Sequence, residues 1–272
     1  MLVTASIVCY KNDRKIILDS ILSFINSEIR FPVFLFLIDN SPTDELRTLI
    51  EHPKIEYIFN PSNPGFGAAH NIAILEALQR ESEYHFVINP DVYIEQDTIS
   101  TMIAYMEQNR DVGMLMPQIL NENGTVQYLP KLLPSPWDVI LRKLKRPKNL
   151  YERFINKYEL RSVNEKQIYN APILSGCFTL LRLRAIAEVG KYDERYFMYF
   201  EDWDLSRRMH QKYKTVYFPL VSVIHNYESG ANKNSRLFKI FIKSGISYFS
   251  KWGWLFDKNR TAINRATLSQ FK

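Results

Sequence analysis

The sequence predicts an α/β protein in which a mostly parallel, Rossmann-like sheet is flanked by helices. Two observations support this prediction. The first hundred residues alternate short apolar runs with segments whose apolar residues recur at helical spacing. The apolar runs are nearly continuous, as expected of parallel strands that are covered by helices on both faces. The 272 residues are also enough to bury a substantial core.

The elements of the first half follow in order from this pattern. Apolar residues at helical spacing predict helices over residues 14–26 and 68–80, and Asp44 and Glu45 suit the start of a short helix that ends at Ile50. The predicted strands cover residues 3–9, 33–38, 55–59 and 84–88.

The second half is less regular. We predict a helix over residues 98–109, a strand over 112–120, a strand over 173–182, a helix over 184–189, a helix after "YFED" and a last strand over 214–226. Residues 121–170 contain several prolines and the basic run "RKLKRPK", and are predicted to form a partly mobile excursion. We divide the chain into a domain of residues 1–230, with halves 1–117 and 118–230, and a basic, aromatic, helical tail of residues 231–272.

The composition limits the partners and the compartment. A net charge of +6 suits an anionic partner, but the basic residues form two patches away from any recognisable nucleic-acid module, so no nucleic-acid partner is predicted. The two cysteines, Cys9 and Cys177, are far apart and predict a reducing compartment. With no secretory signal and no apolar run of membrane-spanning length, we predict a cytoplasmic protein.

Two aspartates follow predicted parallel strands. Asp39 ends the second strand, and Asp91 follows the fourth strand in the sequence "NPD". Ligands of such sheets bind outside the carboxyl ends of the strands, where Asp39 suits a ribose or base and Asp91 suits Mg²⁺ or Mn²⁺ on a diphosphate. Each aspartate also suits a turn or a helix cap, so alone neither one decides the function.

The stretch "NPSNPGFGAAHN" places Gly65 and Gly67 at the start of a predicted helix. Free N–H groups at a helix start suit a phosphate or a sugar, although such a loop is more often only a turn. His70 stands where a dinucleotide fingerprint needs a small residue, and the loop follows the third strand instead of the first. A nicotinamide enzyme is therefore disfavoured.

The stretch "YFEDWDL" places Glu201, Asp202 and Asp204 before or within the first turn of a helix. Acidic residues there interact favourably with the helix dipole, which is the structural explanation. The aromatic residues before them suggest a pocket wall, in which a carboxylate could act as a general base on an alcohol. His225 ends the last strand and is either structural or a metal ligand.

The order of these motifs resembles family 2 inverting glycosyltransferases. The motifs are "SIVCYKN", "IDNSPTD", "NPGFGAAHN", "NPDV" and "GCFTLLRLRAIAEVGKYDERYFMYFEDWDLSRRM". The resemblance covers about residues 2–230, implies the GT-A fold and nucleotide-sugar donors, and is strongest to bacterial rhamnosyltransferases of polysaccharide assembly.

The resemblance also implies roles for individual residues. Asp202 would be the catalytic base, and Asp91 and His225 would hold Mg²⁺ or Mn²⁺. The residues implied for the nucleotide sugar are Tyr10, Asp39, Asn63, Gly67, Asn71, Asn89 and Asp91. Those implied for the acceptor are Gly176, Cys177, Glu201 and Trp203. The usual Asp-x-Asp motif of this fold is Asn89-Pro90-Asp91 here, which leaves one carboxylate fewer for a metal.

The implied reaction transfers a sugar, with rhamnose as the first expectation, from a dTDP- or UDP-sugar to a hydroxyl of a glycan or polyprenyl-linked acceptor. One base without a second nucleophile favours inversion. The alternatives are an inactive nucleotide- or carbohydrate-binding module on the same fold and a nucleotidyltransferase. The basic, aromatic residues 233–258 suit either an interfacial segment on the cytoplasmic face of the inner membrane or a helix packed on the domain.

Overall fold

The computed structural model describes residues 1–27, 30–49, 51–226 and 235–272 and contains a mixed sheet covered by helices. The strands are β1 (Val3–Cys9), β2 (Val33–Asp39), β3 (Ile55–Phe59), β4 (Tyr84–Ile88), β5 (Val92–Ile94), β6 (Val112–Leu120), β7 (Tyr169–Asn170), β8 (Phe178–Arg182) and β9 (Lys214–His225). The helices are α1 (Arg14–Ile25), α2 (Phe66–Gln79), α3 (Thr98–Gln108), α4 (Pro136–Leu144), α5 (Lys148–Tyr158), α6 (Leu183–Val189), α7 (Glu201–His210), α8 (Ser235–Trp252) and α9 (Lys258–Ser269). The predicted α/β class is confirmed.

The first four strands pair in parallel, in the order β3-β2-β1-β4. Cys9 is in register with Asp39, and Ile7 is in register with Ile88. The carboxyl ends of β1, β2 and β4 therefore meet at one edge of the sheet, where the polar residues that follow each strand are brought together.

The other strands bring distant residues to the same edge. Strand β8 is antiparallel to β4, and β9 is antiparallel to the short strand β5, which the sequence did not predict. Val92 of β5 pairs with His225 of β9, and the Asn89 N–H donates to the Cys177 carbonyl at 2.8 Å. This pairing places His225 and the segment before β8 beside the end of β4.

A buried cluster of three polar side chains below this edge of the sheet explains why a histidine, His70, follows the glycines of the loop before α2. The Ser6 hydroxyl lies 2.7 Å from His70 Nδ1 and 2.8 Å from His85 Nε2. Burial lowers the pKa of His70 well below its ordinary value and that of His85 to about 3. Both imidazoles are therefore neutral and join α2, β1 and β4 in the core.

Three sequence predictions need correction. The helix predicted from Asp44 to Ile50 is a single 3₁₀ turn over Arg47–Leu49, and Ile50 lies outside the described residues. The strand predicted from residue 173 begins at Phe178. The predicted excursion contains α4 and α5, whose Leu141 and Ile155 are buried in the protein. The capping box of Ser135 and the helical spacing of Trp137, Ile140 and Leu144 are helical signals for α4, which the prolines and the basic run in this segment outweighed.

Helix α8 of the predicted tail packs on the rest of the protein through its inner face. Tyr248 and Phe249 are buried against Phe200, and the Lys251 ammonium lies 2.7 Å from a carboxylate oxygen of Asp204. The packing alternative for this tail is therefore realised on one face of α8, while the division at residue 230 stays a prediction. Within the described residues, no helix combines the length and the apolar character needed to cross a membrane.

Candidate active site

A cavity of about 720 Å³ opens at the edge where the parallel strands end. One wall includes Tyr10 and Asn63 from the loops after β1 and β3, together with Asn89 and Asp91 after β4. The rest of the lining comes from residues 127–142, 175–177 and 197–203 and from α8. We call these the strand-end wall and the helical wall. Side chains that are far apart in the sequence thus face one space large enough for a small-molecule substrate.

Three predicted residues meet at the centre of the strand-end wall. His225 Nε2 lies 3.3 Å from Asn89 Nδ2 and 3.4 Å from Asp91 Oδ1, while His225 Nδ1 lies 3.1 Å from Gln127 Oε1. Because an amide oxygen only accepts, Nδ1 is the ring nitrogen that donates in this contact, and Nε2 can accept from the Asn89 amide N–H.

This trio fits a divalent cation in part. The Asn89 amide oxygen is buried and has no hydrogen-bond partner in the described part of the chain. With the Asp91 carboxylate and the His225 imidazole it offers oxygen and nitrogen donors of the type that Mg²⁺ or Mn²⁺ accepts. Across residues 1–27, 30–49, 51–226 and 235–272, however, no three His, Cys, Asp or Glu side chains form a metal-binding group. A cation here would depend on Asn89 and on substrate oxygens.

The predicted base Asp202 lies in the helical wall at the start of α7. Its carboxylate accepts hydrogen bonds from the N–H groups of Gly176 at 3.2 Å and Trp203 at 2.9 Å. A side chain at Gly176 would crowd this contact, because an added Cβ would lie 3.4 Å from that of Asp202. Residues Tyr199 and Phe200 turn the chain into α7 with left-handed backbone angles, φ 68° and 69°, which non-glycine residues rarely adopt. This strained turn aims Asp202 at the cavity.

Glu201 and Asp202 form a close acidic pair with different surroundings. Burial, together with the neighbouring Asp202 charge, raises the pKa of Glu201 well above its usual range. Burial also raises the pKa of Asp202, but hydrogen bonds from Gly176 and the positive charge of Lys131 oppose that rise. Of the two carboxyl groups, Glu201 therefore holds its proton more tightly, and the negative charge of the pair favours Asp202.

Two cationic residues of the helical wall were missed in the sequence. Lys131 is 4% exposed, its ammonium donates to the Leu129 carbonyl at 2.7 Å, and burial lowers its pKa to about 8. Arg142 also lines the cavity, and its guanidinium lies 3.4 Å from Glu159. Lys131 belongs to no motif, and Arg142 begins the basic run "RKLKRPK", which marked charge but no site. The long-range fold brings both residues to the cavity that Asp202 also lines.

Three predicted donor residues do not line the cavity. Asp39 is fully buried and accepts from the Ser41 N–H at 2.9 Å and the Tyr57 hydroxyl at 2.7 Å. The Asn71 amide donates to the Tyr192 carbonyl at 2.9 Å and accepts from the Tyr192 N–H at 3.0 Å.

Gly67 faces the same loop, where an added Cβ would lie 2.9 Å from the Tyr192 side chain. The predicted donor contacts of Asp39, Gly67 and Asn71 stay predictions, and the contacts that these three residues make lie within the protein behind the wall. The other predicted residues line the cavity, namely Tyr10, Asn63, Asn89, Asp91, Gly176, Cys177, Glu201, Asp202, Trp203 and His225.

Comparisons with known proteins identify the family. The sequence model described as Glycosyl transferase family 2 matches residues 6–190, more than half of the chain. The chain belongs to glycosyltransferase family 2.

Two relatives agree with this assignment. The chain is 27% identical over 237 residues to the N-acetylglucosaminyl-diphospho-decaprenol L-rhamnosyltransferase of Mycobacterium tuberculosis, with 81% of this chain and 76% of the relative covered. It is 25% identical over 237 residues to the rhamnosyltransferase WbbL of Escherichia coli, with 83% of this chain and 85% of the relative covered.

A solved structure shows the same fold. GalNAc-T7 with UDP, GalNAc and Mn²⁺ matches with a TM-score of 0.61 at 16% identity, over 84% of this chain and 43% of that chain. The chain thus spans less than half of that structure. The predicted family, the GT-A architecture and the enzyme class of a nucleotide-sugar-dependent glycosyltransferase are confirmed. This enzyme class replaces the alternative of a nucleotidyltransferase.

Proposed function

We propose that this family 2 glycosyltransferase transfers a sugar, with rhamnose as the first candidate, from a dTDP- or UDP-sugar to a hydroxyl of a lipid-linked glycan. The observation that carries the proposal is the position of Asp202, whose carboxylate faces the cavity into which the β1 and β4 ends open. The rhamnosyltransferase names of both relatives support the sugar. The diphospho-decaprenol in the name of the mycobacterial relative supports the acceptor class.

In this mechanism Asp202 removes the proton from the acceptor hydroxyl as the new glycosidic bond forms. The raised pKa of Glu201 beside it favours the negative charge on Asp202, and two backbone N–H groups keep the Asp202 carboxylate oriented. A positioned general base typically contributes about 10²–10⁴-fold to such a step. Trp203, Gly176 and Cys177 would shape the acceptor side of the same wall.

The strand-end wall would bind the donor. Tyr10 and Asn63 would contact the nucleoside, and Asn89, Asp91 and His225 would hold Mg²⁺ or Mn²⁺ beside the diphosphate. When bound, such a cation supplies a Lewis acid that stabilises negative charge on the leaving nucleoside diphosphate.

A single displacement with inversion at the sugar carbon is the mechanism that these residues support. A second, covalent step would need another nucleophile beside the sugar. Cys177 is a poor candidate, because burial raises the pKa of its thiol to about 12. We propose that, in the cell, the reaction takes place on the cytoplasmic side of the inner membrane and contributes to cell-surface polysaccharide synthesis.

A panel of nucleotide sugars tests the donor assignment. We expect a dTDP- or UDP-sugar to raise the melting temperature in the presence of Mn²⁺, and to do so less in EDTA. The matched control is Asp91→Asn, which keeps the side-chain shape and removes the carboxylate. Uniform indifference of the melting temperature to every nucleotide sugar would refute the proposal. Stabilisation by a nucleotide sugar without any hydrolysis or transfer of it would favour the inactive binding module on the same fold.

A further inference from the structure

The outer faces of α4 and α8 remain exposed in the described part of the chain. Their apolar side chains recur at i, i+3 and i+7 on α4 and at i, i+4 and i+8 on α8, which places each set along one stripe of its helix. These side chains are Trp137, Ile140, Leu144, Phe238, Ile242 and Ile246, and each is 44% to 64% exposed. Apolar stripes of this size on adjoining elements are unusual on a surface that contacts only water.

The two helices lie side by side although they are about a hundred residues apart in the sequence. The Lys143 ammonium of α4 lies 5.9 Å from the Phe238 ring and 4.4 Å from the Phe241 ring of α8. Val139 of α4 packs in the same apolar cluster as Phe241. The outer faces therefore adjoin, and we call them together the α4–α8 surface.

The charge along this surface is mostly positive, and Asp138 at the start of α4 is acidic. Residues 142–148, "RKLKRPK", contain five basic residues and no acidic residue, and α8 has four basic residues and no acidic residue along its length. Cations beside an apolar stripe match a bilayer interface with anionic headgroups. A second copy of this chain would bring like charges together, so the charge disfavours self-association through this surface.

The surface also adjoins the cavity. Leu237, Ile240 and Phe241 on the inner side of α8 line the cavity wall, and so does Arg142 of α4. A bilayer against the outer faces would therefore lie next to the mouth of the site. We propose that the α4–α8 surface docks the enzyme on an anionic phospholipid bilayer and presents the cavity to an acceptor anchored there. This inference rests on the proposed function and names its partner.

Vesicle flotation of the full chain tests this inference without any donor or acceptor. We expect the protein to float with vesicles of phosphatidylglycerol and phosphatidylethanolamine, and to float less with phosphatidylcholine vesicles or at about 0.5 M NaCl, because salt screens the charges. Leu144→Glu and Ile246→Glu should each weaken binding at least about tenfold, since each removes one buried apolar side chain from the interface and adds a negative charge.

The matched control is Leu75→Glu on α2, which changes a side chain of similar exposure, 43%, away from the α4–α8 surface. It should bind vesicles like the unchanged protein, and all three variants should keep its circular dichroism spectrum. Equal flotation of the three variants, or no flotation of the unchanged protein, would overturn the inference. So would a dimer in sedimentation that Leu144→Glu dissociates. Vesicle binding by a protein that binds no nucleotide sugar would refute only the proposed function.

Discussion

The two walls of the cavity are built in different ways. Most side chains of the strand-end wall come from loops at the ends of neighbouring β-strands, where backbone pairing such as Val92 with His225 fixes their positions. The helical wall comes from an irregular segment and from the strained turn before α7. Its shape depends on side-chain packing from the end of the chain. Sheet register thus sets the positions of the side chains in the strand-end wall. The helical wall needs contacts from another part of the chain to keep its shape.

Helix α8 provides that support. The Ser244 hydroxyl donates to the Met198 carbonyl at 2.8 Å, and an added Cβ at Gly245 would lie 3.3 Å from the Phe200 ring. Behind α7, the buried Arg207 guanidinium pairs with Asp257 at 2.6 Å and lies 4.1 Å from the Trp252 ring. The turn before α7 and the segment after residue 234 therefore form one structural unit.

The largest expected effect distinguishes the roles of Asp202 and Glu201, the two neighbouring carboxyl groups of the helical wall. Asp202→Asn removes the proposed base and should lower kcat by about 10²–10⁴-fold. Glu201→Gln should lower kcat far less, because the raised pKa of Glu201 favours the negative charge of the pair on Asp202, and an amide keeps the shape of the Glu201 side chain. Steady-state kinetics with the donor found in the panel gives both numbers.

Both variants should bind the donor like the unchanged protein, because the donor contacts belong to the strand-end wall. If Glu201→Gln lost as much activity as Asp202→Asn, the assignment of the negative charge to Asp202 would be wrong. If both variants kept full activity, the base would lie elsewhere.

The next largest effect concerns the ion pair between Arg207 of α7 and Asp257, which lies behind the helical wall. Arg207→Met leaves Asp257 buried without its cation, which typically costs about 3–5 kcal/mol in the free energy of unfolding. Urea unfolding followed by circular dichroism measures this loss. The matched control is Arg47→Met, because Arg47 pairs with Asp44 on the surface, and such exposed pairs contribute about 0–1 kcal/mol. Equal losses in the two variants would show that α7 does not depend on the tail.

A smaller effect should appear in the pH dependence. Lys131→Met removes the cation that opposes the rise in the Asp202 pKa, so the acidic limb of the pH profile of kcat should move upward by about one pH unit. A limb that stays in place would show that Lys131 does not act on Asp202.

The same variant should also change how the stability of the protein depends on pH. The folded pKa of Lys131, about 8, lies below its ordinary value of 10.5, so the unfolded chain binds more protons between these two values. The unchanged protein should therefore gain stability as the pH rises from 8 to 10.5, and Lys131→Met should lack this gain. Thermal unfolding across that range measures it, with Lys214→Met as an exposed control.

Sequence reasoning succeeded where local signals fix the structure. Continuous apolar runs located β1, β3 and β4 to the residue, and the acidic helix start located Asp202. It failed where packing between distant parts of the chain determines which residues line the cavity. Nothing near Lys131 marks it as a cavity residue, and the shared strand-end position of Asp39 and Asp91 hides that only Asp91 faces the cavity. A strand-end position shows that a residue is at the right edge of the sheet, and the register and neighbours decide which way it points.

The smallest expected effect tests Asn89, which stands in the strand-end wall where the usual motif of this fold has its first aspartate. Asn89→Asp restores the Asp-x-Asp motif and places a second carboxylate beside Asp91 and His225. Two unit charges about 4 Å apart interact by about 1 kcal/mol in water and about 4 kcal/mol near a protein surface, so Mn²⁺ affinity measured by calorimetry with the nucleotide present should rise about tenfold. Asn63→Asp adds the same charge elsewhere in this wall and should raise the affinity less. If Asn89→Asp left Mn²⁺ binding unchanged, the cation would not lie between these side chains, and the donor diphosphate would have to be stabilised by other residues of the cavity.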